Sequence, residues 1–110
     1  MATTYKVLGQ AAPADTANAD LYTVPASTEA VISTIVVSNV TATDATCRIF
    51  VRVGGAAAAA GNALVYDGPV TANDFTAVTV GITLAATDVI TVQSGTADAL
   101  TFQAFGSEIA

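Results

Sequence analysis

The sequence has 110 residues, of which 53% are hydrophobic and 11% charged, and its 3 Lys+Arg against 9 Asp+Glu give a formal net charge of −6. This length fits one domain with its own core, and the shortage of cations argues against nucleic acid or an anionic membrane surface as a partner. The sequence contains no His, so His-based triads and His-ligated metal sites are excluded. No apolar run approaches the roughly 20 residues of a membrane helix, and no secretory signal pattern is visible at the N-terminus.

The hydrophobic pattern has the period of β-strands throughout and shows no helical stripe. It predicts eight or nine short strands, in chain order at residues 4–8, 21–24, 29–40, 45–53, 62–66, 75–80, 82–84, 89–93 and 99–105. An extended connector is predicted at 10–19, a turn at Asp67-Gly68-Pro69 and a tail at 106–110. Many short strands with closely spaced turns are typical of a sandwich. We therefore predict an all-β, single-domain antiparallel β-sandwich over residues 1–110. The spacing leaves immunoglobulin-like and jelly-roll topologies open.

Three segments carry further expectations. Residues 1–19 form an extended N-terminal arm in one interpretation, and in the other the first strand pairs inside its own sandwich. Residues 54–61 form a Gly/Ala loop between two strands, because five Ala do not hold a helix in water. Strand 29–40 is apolar on both faces when its residues alternate strictly, with Val31 and Ile35 on the same face. It is therefore either central with both faces covered, or one of its faces meets a neighbouring subunit.

Few residues have the chemistry of a catalytic or ligand site. Cys47 is the single cysteine and is in phase with Ile49 and Val51, so we expect it to be buried and inert. Most of the nine acids lie in predicted turns, where capping of backbone N–H groups is their expected role. A Ca²⁺ site between loops is the alternative, although no EF-hand spacing supports it. We predict no catalytic residue, no metal site and no cofactor.

One strand combines residue types that are enriched at protein interfaces. Arg48, Phe50 and Arg52 alternate with the inward set of strand 45–53, so they are predicted to share its outer face. Two of the three basic residues would then flank an exposed aromatic ring, and Arg and aromatic residues often dominate binding energy. We predict an interface at these three residues. The alternative is that Phe50 is covered by the same chain.

Several segments together resemble a family of small virion proteins from tailed phages, notably phages of cyanobacteria and other aquatic bacteria. The resemblance covers nearly the whole chain and is carried by Tyr5-Lys6-Val7-Leu8-Gly9-Gln10, Leu21-Tyr22-Thr23-Val24-Pro25-Ala26, Val31 to Val37, Tyr66 to Val70 with Ala72-Asn73-Asp74, Gly81 to Ile90, and Phe105 to Ile109. It implies a non-enzymatic structural role on the particle.

The resemblance and the charge-poor composition together predict a capsid decoration (cement) protein. It would stabilise the shell on the capsid exterior after synthesis in the bacterial cytoplasm. The expected partners are the major capsid protein or another virion protein, and further copies of the chain, with a trimer as one arrangement. A tail, baseplate or fibre subunit is the alternative, and a carbohydrate-binding module on the particle surface is a second alternative.

Overall fold

The computed structural model describes residues 2–110, and over that range it contains nine β-strands and no α-helix. The strands are β1 (Thr3–Ala11), β2 (Ala19–Thr23), β3 (Glu29–Asn39), β4 (Ala45–Arg52), β5 (Ala63–Val70), β6 (Phe75–Val78), β7 (Ile82–Leu84), β8 (Val89–Ser94) and β9 (Leu100–Ile109). Two short 3₁₀ turns, Val53–Gly55 and Ala60–Asn62, lie between β4 and β5. No helix in the described part of the chain is long and apolar enough to cross a membrane. The all-β prediction is confirmed.

The strands form two antiparallel sheets packed face to face. One sheet has five strands in the order β1-β9-β3-β6, with β7 also pairing with β3, and the other has four in the order β2-β8-β4-β5. The chain crosses between the sheets at most connections, and apart from the pair β4 and β5 the strands lie beside partners that do not follow them directly in sequence. This order is that of a jelly roll, with β6 and β7 sharing one strand position. The structure therefore decides between the two topologies that the spacing left open.

The core lies between the two sheets and consists of side chains from alternate positions on the inner faces. The largest fully buried members are Phe102, Ile32, Ile35, Ile49, Ile90 and Leu100. Each such side chain contributes about 1.5–3 kcal/mol to folding when it leaves water. The connections between the sheets place polar groups near this core, and the buried amide of Asn39 donates to the carbonyl oxygens of Thr43 and Val70.

A β-bulge in β3 changes which of its residues face the core. The pairing of β3 with β9 slips between Ile32 and Thr34, so Ser33 is an extra residue. Ile32 and Ile35 consequently both point inward, although they are three residues apart. The predicted assignment of Ile35 and Val31 to one face is wrong, because strict alternation does not hold across a bulge. β3 is central in its sheet, with paired neighbours on both edges, but the chain does not cover both of its faces, since outward residues such as Val36 are only half-buried.

Several predicted boundaries are also wrong. β9 continues to Ile109 where a tail was predicted, because it pairs along its length with both β1 and β3. The predicted turn at Asp67-Gly68-Pro69 lies inside β5 instead. Asp67 there has a positive φ of 56°, so residues with turn chemistry form an irregularity within a strand. β5 is an edge strand, where the missing N–H of proline is tolerated.

The N-terminal segment is part of the sandwich. β1 pairs with β9 from Thr3 to Ala11, and Ala2 and Ala110 exchange backbone hydrogen bonds of 2.8 and 3.0 Å. Within the segment 1–19, residues 3–11 therefore form a strand of the sandwich and not an extended arm. Met1 lies outside the described residues. Residues 12–18 form a connector that folds back on the four-stranded sheet, because the Gln93 side-chain amide donates to the Thr16 carbonyl oxygen at 2.7 Å.

A polar cluster joins the two sheets near the paired chain ends. The Tyr22 hydroxyl of β2 donates to one Glu108 carboxylate oxygen at 2.5 Å, and Lys6 of β1 lies 2.9 Å from the other. These hydrogen bonds, that from Tyr22 first, lower the pKa of Glu108. Burial, with the bond to Glu108, raises the pKa of Tyr22 well above its ordinary value. The ionised carboxylate therefore ties β9 to β2 as well as to β1.

Gly9 of β1 lies close to the β2 backbone of the other sheet at this end. An added Cβ at Gly9 would overlap the Leu21 carbonyl oxygen of β2. Since a backbone oxygen cannot move aside without shifting its strand, only glycine fits here.

We predict that Gly9→Ala lowers the free energy of unfolding by about 2–3 kcal/mol, because overpacking forces the β1 and β2 backbones apart. Gly61→Ala is the matched control, since an added Cβ there meets nothing within 4 Å. Urea unfolding of both variants checks this. Equal stability of Gly9→Ala and the parent would show that the strands do not approach so closely.

We also predict that Tyr22→Phe costs about 1.5–3 kcal/mol at pH 7, the usual contribution of a hydrogen bond to a charged group. The folded pKa of Glu108 is depressed, so this stabilisation is present above the unfolded Glu pKa of about 4.3. It is lost as the pH falls through the folded pKa. Unfolding measured at pH 7 and at pH 2 to 3 should therefore show the difference from the parent shrinking in acid.

Tyr5→Phe serves as the control for this experiment, because Tyr5 is 84% exposed. This variant should unfold like the parent at both pH values. A loss for Tyr22→Phe that is the same at both pH values would contradict the role of ionised Glu108.

Candidate functional site

The candidate interface is built where β5 bulges opposite Arg48 on the outer surface of the four-stranded sheet. The register runs from Cys47 opposite Gly68 to Ile49 opposite Val65, so β5 places two residues across from the single residue Arg48. Those two residues are Tyr66 and Asp67, one more than regular pairing allows, and the bulge turns both side chains towards the arginine.

Arg48 is held on two sides by these residues. Its Nε and Nη2 groups donate to the two Asp67 carboxylate oxygens at 2.8 and 3.2 Å. Its guanidinium carbon lies 4.0 Å from the centroid of the Tyr66 ring, a cation–π arrangement. The hydrogen bond with Arg48 lowers the pKa of Asp67. The result is a fixed pair of planar groups, Arg48 and Tyr66, in contact with solvent.

Phe50 does not present its ring to solvent, and the prediction of an exposed Phe50 is wrong. It is 4% exposed, whereas Tyr66 is 50% exposed. The two rings pack edge to face, with centroids 6.5 Å apart and planes at 83°, so Tyr66 covers Phe50. The covering residue is the last one of predicted strand 62–66, next to the segment that was predicted to be a turn. The exposed aromatic side chain of this surface is therefore Tyr66.

Arg52 lies on the same outer face as Arg48 but has a different set of partners. Its Nη1 lies 3.3 Å from an Asp20 carboxylate oxygen and donates to the Thr91 hydroxyl at 3.1 Å. Its Nε and Nη2 donate to the carbonyl oxygens of Ala56 and Gly55 at 2.7 and 3.0 Å. Arg52 therefore holds the Gly/Ala loop against the sheet.

The outer face predicted for Arg48, Phe50 and Arg52 is correct, but it does not form a positively charged patch. Both arginines are paired with carboxylates of the same chain. A contact between these three residues and a partner stays a prediction.

A cavity of about 230 Å³ lies beside Arg48, between the connector 12–18 and the four-stranded sheet. Its lining is mostly polar and consists of Thr16, Thr46, Cys47, Arg48, Asp67, Gln93, Ser94 and Gly95. Cys47 itself is buried, as predicted, and burial raises the pKa of its thiol to about 11. At neutral pH this thiol is protonated and therefore a poor nucleophile.

Four of the acids satisfy backbone N–H groups at turns, as predicted. Asp15 accepts from Ala17, Asp44 from Ala72, and Asp74 from Phe75. The buried Asp88 accepts from both Gly54 and Ala85 at 2.8 and 2.9 Å, and so fixes the turn before β8 to the end of β4. Residues 2–110 contain no group of three or more side chains placed to hold a metal ion.

Comparison with known proteins gives little similarity. No protein-family model matches the sequence, and no curated protein matches it. Among solved structures, a chain in the "Structure of infectious bursal disease virus Gx strain" aligns with 97% of this chain at 10% identity and a TM-score of 0.45. This chain spans 30% of the length of that chain. Similarity at this level carries no argument about function.

We predict that Arg52→Met increases cleavage of the loop 54–61 by elastase several-fold. Elastase accepts small residues such as those of the Ala run, and cleavage requires the loop to leave the sheet. Arg48→Met removes the same charge and has no bond to the loop, so its cleavage rate should match the parent. The check is the rate of appearance of the two fragments. Equal rates for the two variants would show that Arg52 does not hold the loop.

Proposed function

We propose that this protein is a non-enzymatic structural component of a virus particle. Its specific role is that of a capsid decoration (cement) protein, which binds the outside of the shell through protein contacts. The observation that carries the proposal is that the segments resembling small phage virion proteins hold one another together in the fold.

These segments meet at two places. The backbone of Val24, in the Leu21–Ala26 segment, donates to the Asp88 carbonyl oxygen at 3.0 Å and accepts from the Thr87 N–H at 3.1 Å, both in the Gly81–Ile90 segment. At the second place Tyr22 of the same Leu21–Ala26 segment joins Lys6 and Glu108, from two further stretches of the resemblance, in the cluster that links the sheets. The residues that carry the resemblance therefore include residues whose contacts hold the fold together.

The jelly-roll topology is consistent with this role but less specific. Jelly rolls occur in viral capsid and lectin domains, and a fold alone does not determine a function. The topology supports a virion role only together with the resemblance.

The Arg48–Tyr66 pair offers a surface for the shell contact. Tyr66 is half exposed and is fixed between Arg48 and Phe50, so little conformational entropy is lost when a partner covers it. Tyr and Arg are over-represented among the residues that dominate binding energy. Asp67 already neutralises Arg48, so the contact would depend on ring packing more than on charge.

The experiment uses shells of the major capsid protein from the same virus, assembled without decoration, and sediments them with the full chain. We expect the chain to co-sediment, and Tyr66→Ala to weaken binding by about 30-fold, the loss typical of a dominant interface residue. Val40→Ala is the control, since it removes an exposed apolar side chain between β3 and β4 and should still bind shells.

Failure of the unmodified chain to bind shells would overturn the decoration role. Binding to purified tails in the same assay would instead support the tail alternative.

A further inference from the structure

The outward side of the five-stranded sheet is left uncovered by the chain. We call this surface the open face and define it as the outward side chains of β1, β9, β3, β6 and β7. Residues paired directly across strands share a face, which places Tyr5, Val7, Phe105, Gln103, Val36 and Phe75 on it. All are partly or fully exposed, with Tyr5 and Phe75 at 84% and 62%.

The opposite side of the sandwich differs. On the outward side of the four-stranded sheet, Phe50, Val89 and Thr91 are buried. The loop held by Arg52 and the connector held by Gln93 lie over parts of that sheet. The chain therefore covers one of its two outer surfaces in part and leaves the other bare.

The open face is also nearly free of charge. Among the described residues, its charge is confined to Glu29, which pairs with Ile109 at one end of the sheet. The remaining acids lie in turns, on the other sheet or, in Glu108, on the inward side. Its hydrogen bonds join neighbours of the same sheet, as between Gln10 and Gln103 at 2.8 Å and between Thr34 and Thr79 at 3.2 Å.

We propose that the open face binds the open face of a second copy of this chain, giving a two-fold symmetric dimer of stacked sheets. Two copies that each carry a net charge of −6 repel each other unless they meet where the acids are absent. The open face is the broad surface that meets this condition. A basic partner would be attracted to the acidic turns instead, so the charge distribution favours a copy of the chain.

The area is sufficient for such a dimer. Four strand positions about 4.8 Å apart and about eight residues at about 3.3 Å each give a face of roughly 500 Å². Two copies would therefore bury about 1,000 Å², the lower size of a specific protein–protein interface. Sheets stacked face to face keep their strands within about 30° of one another, which is compatible with a two-fold axis through the centre of the face.

Val36 lies at that centre, between Gln103 of β9 and Ala77 of β6. In a two-fold dimer each Val36 would lie close to its own copy, so a Lys at this position would bring two positive charges together. The substitution also makes the chain less negative, so weaker association could not be attributed to greater overall repulsion.

The experiment is sedimentation equilibrium of the full chain from about 1 to 500 μM, since minimal interfaces have affinities near the micromolar range. We expect a monomer–dimer equilibrium. Val36→Lys should raise the dissociation constant by at least about 100-fold, because like charges placed opposite each other cost several kcal/mol. Tyr5→Lys, at a fully exposed site that cannot disturb the core, should raise it as well. Thr46→Lys makes the same charge change on the other sheet and should leave it unchanged.

Salt gives an independent measure. Raising the ionic strength screens the repulsion between the two copies, so the dimer should become tighter or stay the same. A monomer at every concentration would overturn the proposal. So would a trimer, a dimer weakened by salt, or a dimer lost in Thr46→Lys and retained in both open-face variants. None of these results depends on whether the chain binds a viral shell.

Discussion

The arrangement of side chains in this jelly roll depends on bulges that reset the alternation of its strands. β1 and β3 flank β9, and each has one extra residue beside Phe105, Leu8 in β1 and Ser33 in β3. Without the extra residue every later side chain in the strand would point to the opposite face. In β3 this correction places Ile32 and Ile35 together in the core and leaves Val36 outside. The same bulge brings the β3 backbone so close to Gly106 that an added Cβ there would overlap the Val31 carbonyl oxygen. The composition of the core, the close contact of β3 with Gly106 of β9 and the set of side chains on the open face all follow from this one change of register.

The bulge in β5 has the same effect on the other sheet, and it explains why the candidate interface could be predicted only in part. Strict alternation along β4 correctly predicts a buried Cys47 and an outward Arg48, because that strand is regular at those positions. The cover over Phe50 depends on Tyr66, and the Asp-Gly-Pro sequence after Tyr66 has the local chemistry of a turn. Local chemistry alone does not distinguish a turn between strands from a bulge within one strand, since both use a positive φ at Asp67. Only the pairing with β4, a contact that is distant in sequence, makes that distinction.

Features fixed by local patterning were predictable and those fixed by long-range pairing were not. The nine strands, the absence of a long helix and the capping acids follow from periodicity and turn chemistry, which act over a few residues. The extension of β9 to Ile109 depends on two neighbours that supply partners along its whole length, and nothing in Gly106-Ser107-Glu108 indicates it. Glu108 is the clearest example. In the sequence it is an acid near the end of the chain, and in the fold it receives hydrogen bonds from Tyr22 of the other sheet and from Lys6.

The distribution of charge connects the fold to both proposals. The chain exposes 5465 Å², close to the roughly 5600 Å² expected for a monomer of its mass, so its low charge reflects the chemistry of the surface and not a shortage of surface. Each basic side chain is paired with a carboxylate of the chain, at Glu108, Asp67 or Asp20, and the net negative charge therefore resides in the remaining acids. A contact that buries few of those acids is the least costly, because an unpaired buried charge is strongly unfavourable.

The Arg48–Tyr66 pair and the open face both meet this requirement. They lie on the outer surfaces of opposite sheets, so a partner bound at one does not block the other. A dimer formed through its open faces would carry one Tyr66 ring on each of its two opposite outer sides, so one of them would remain available to a shell.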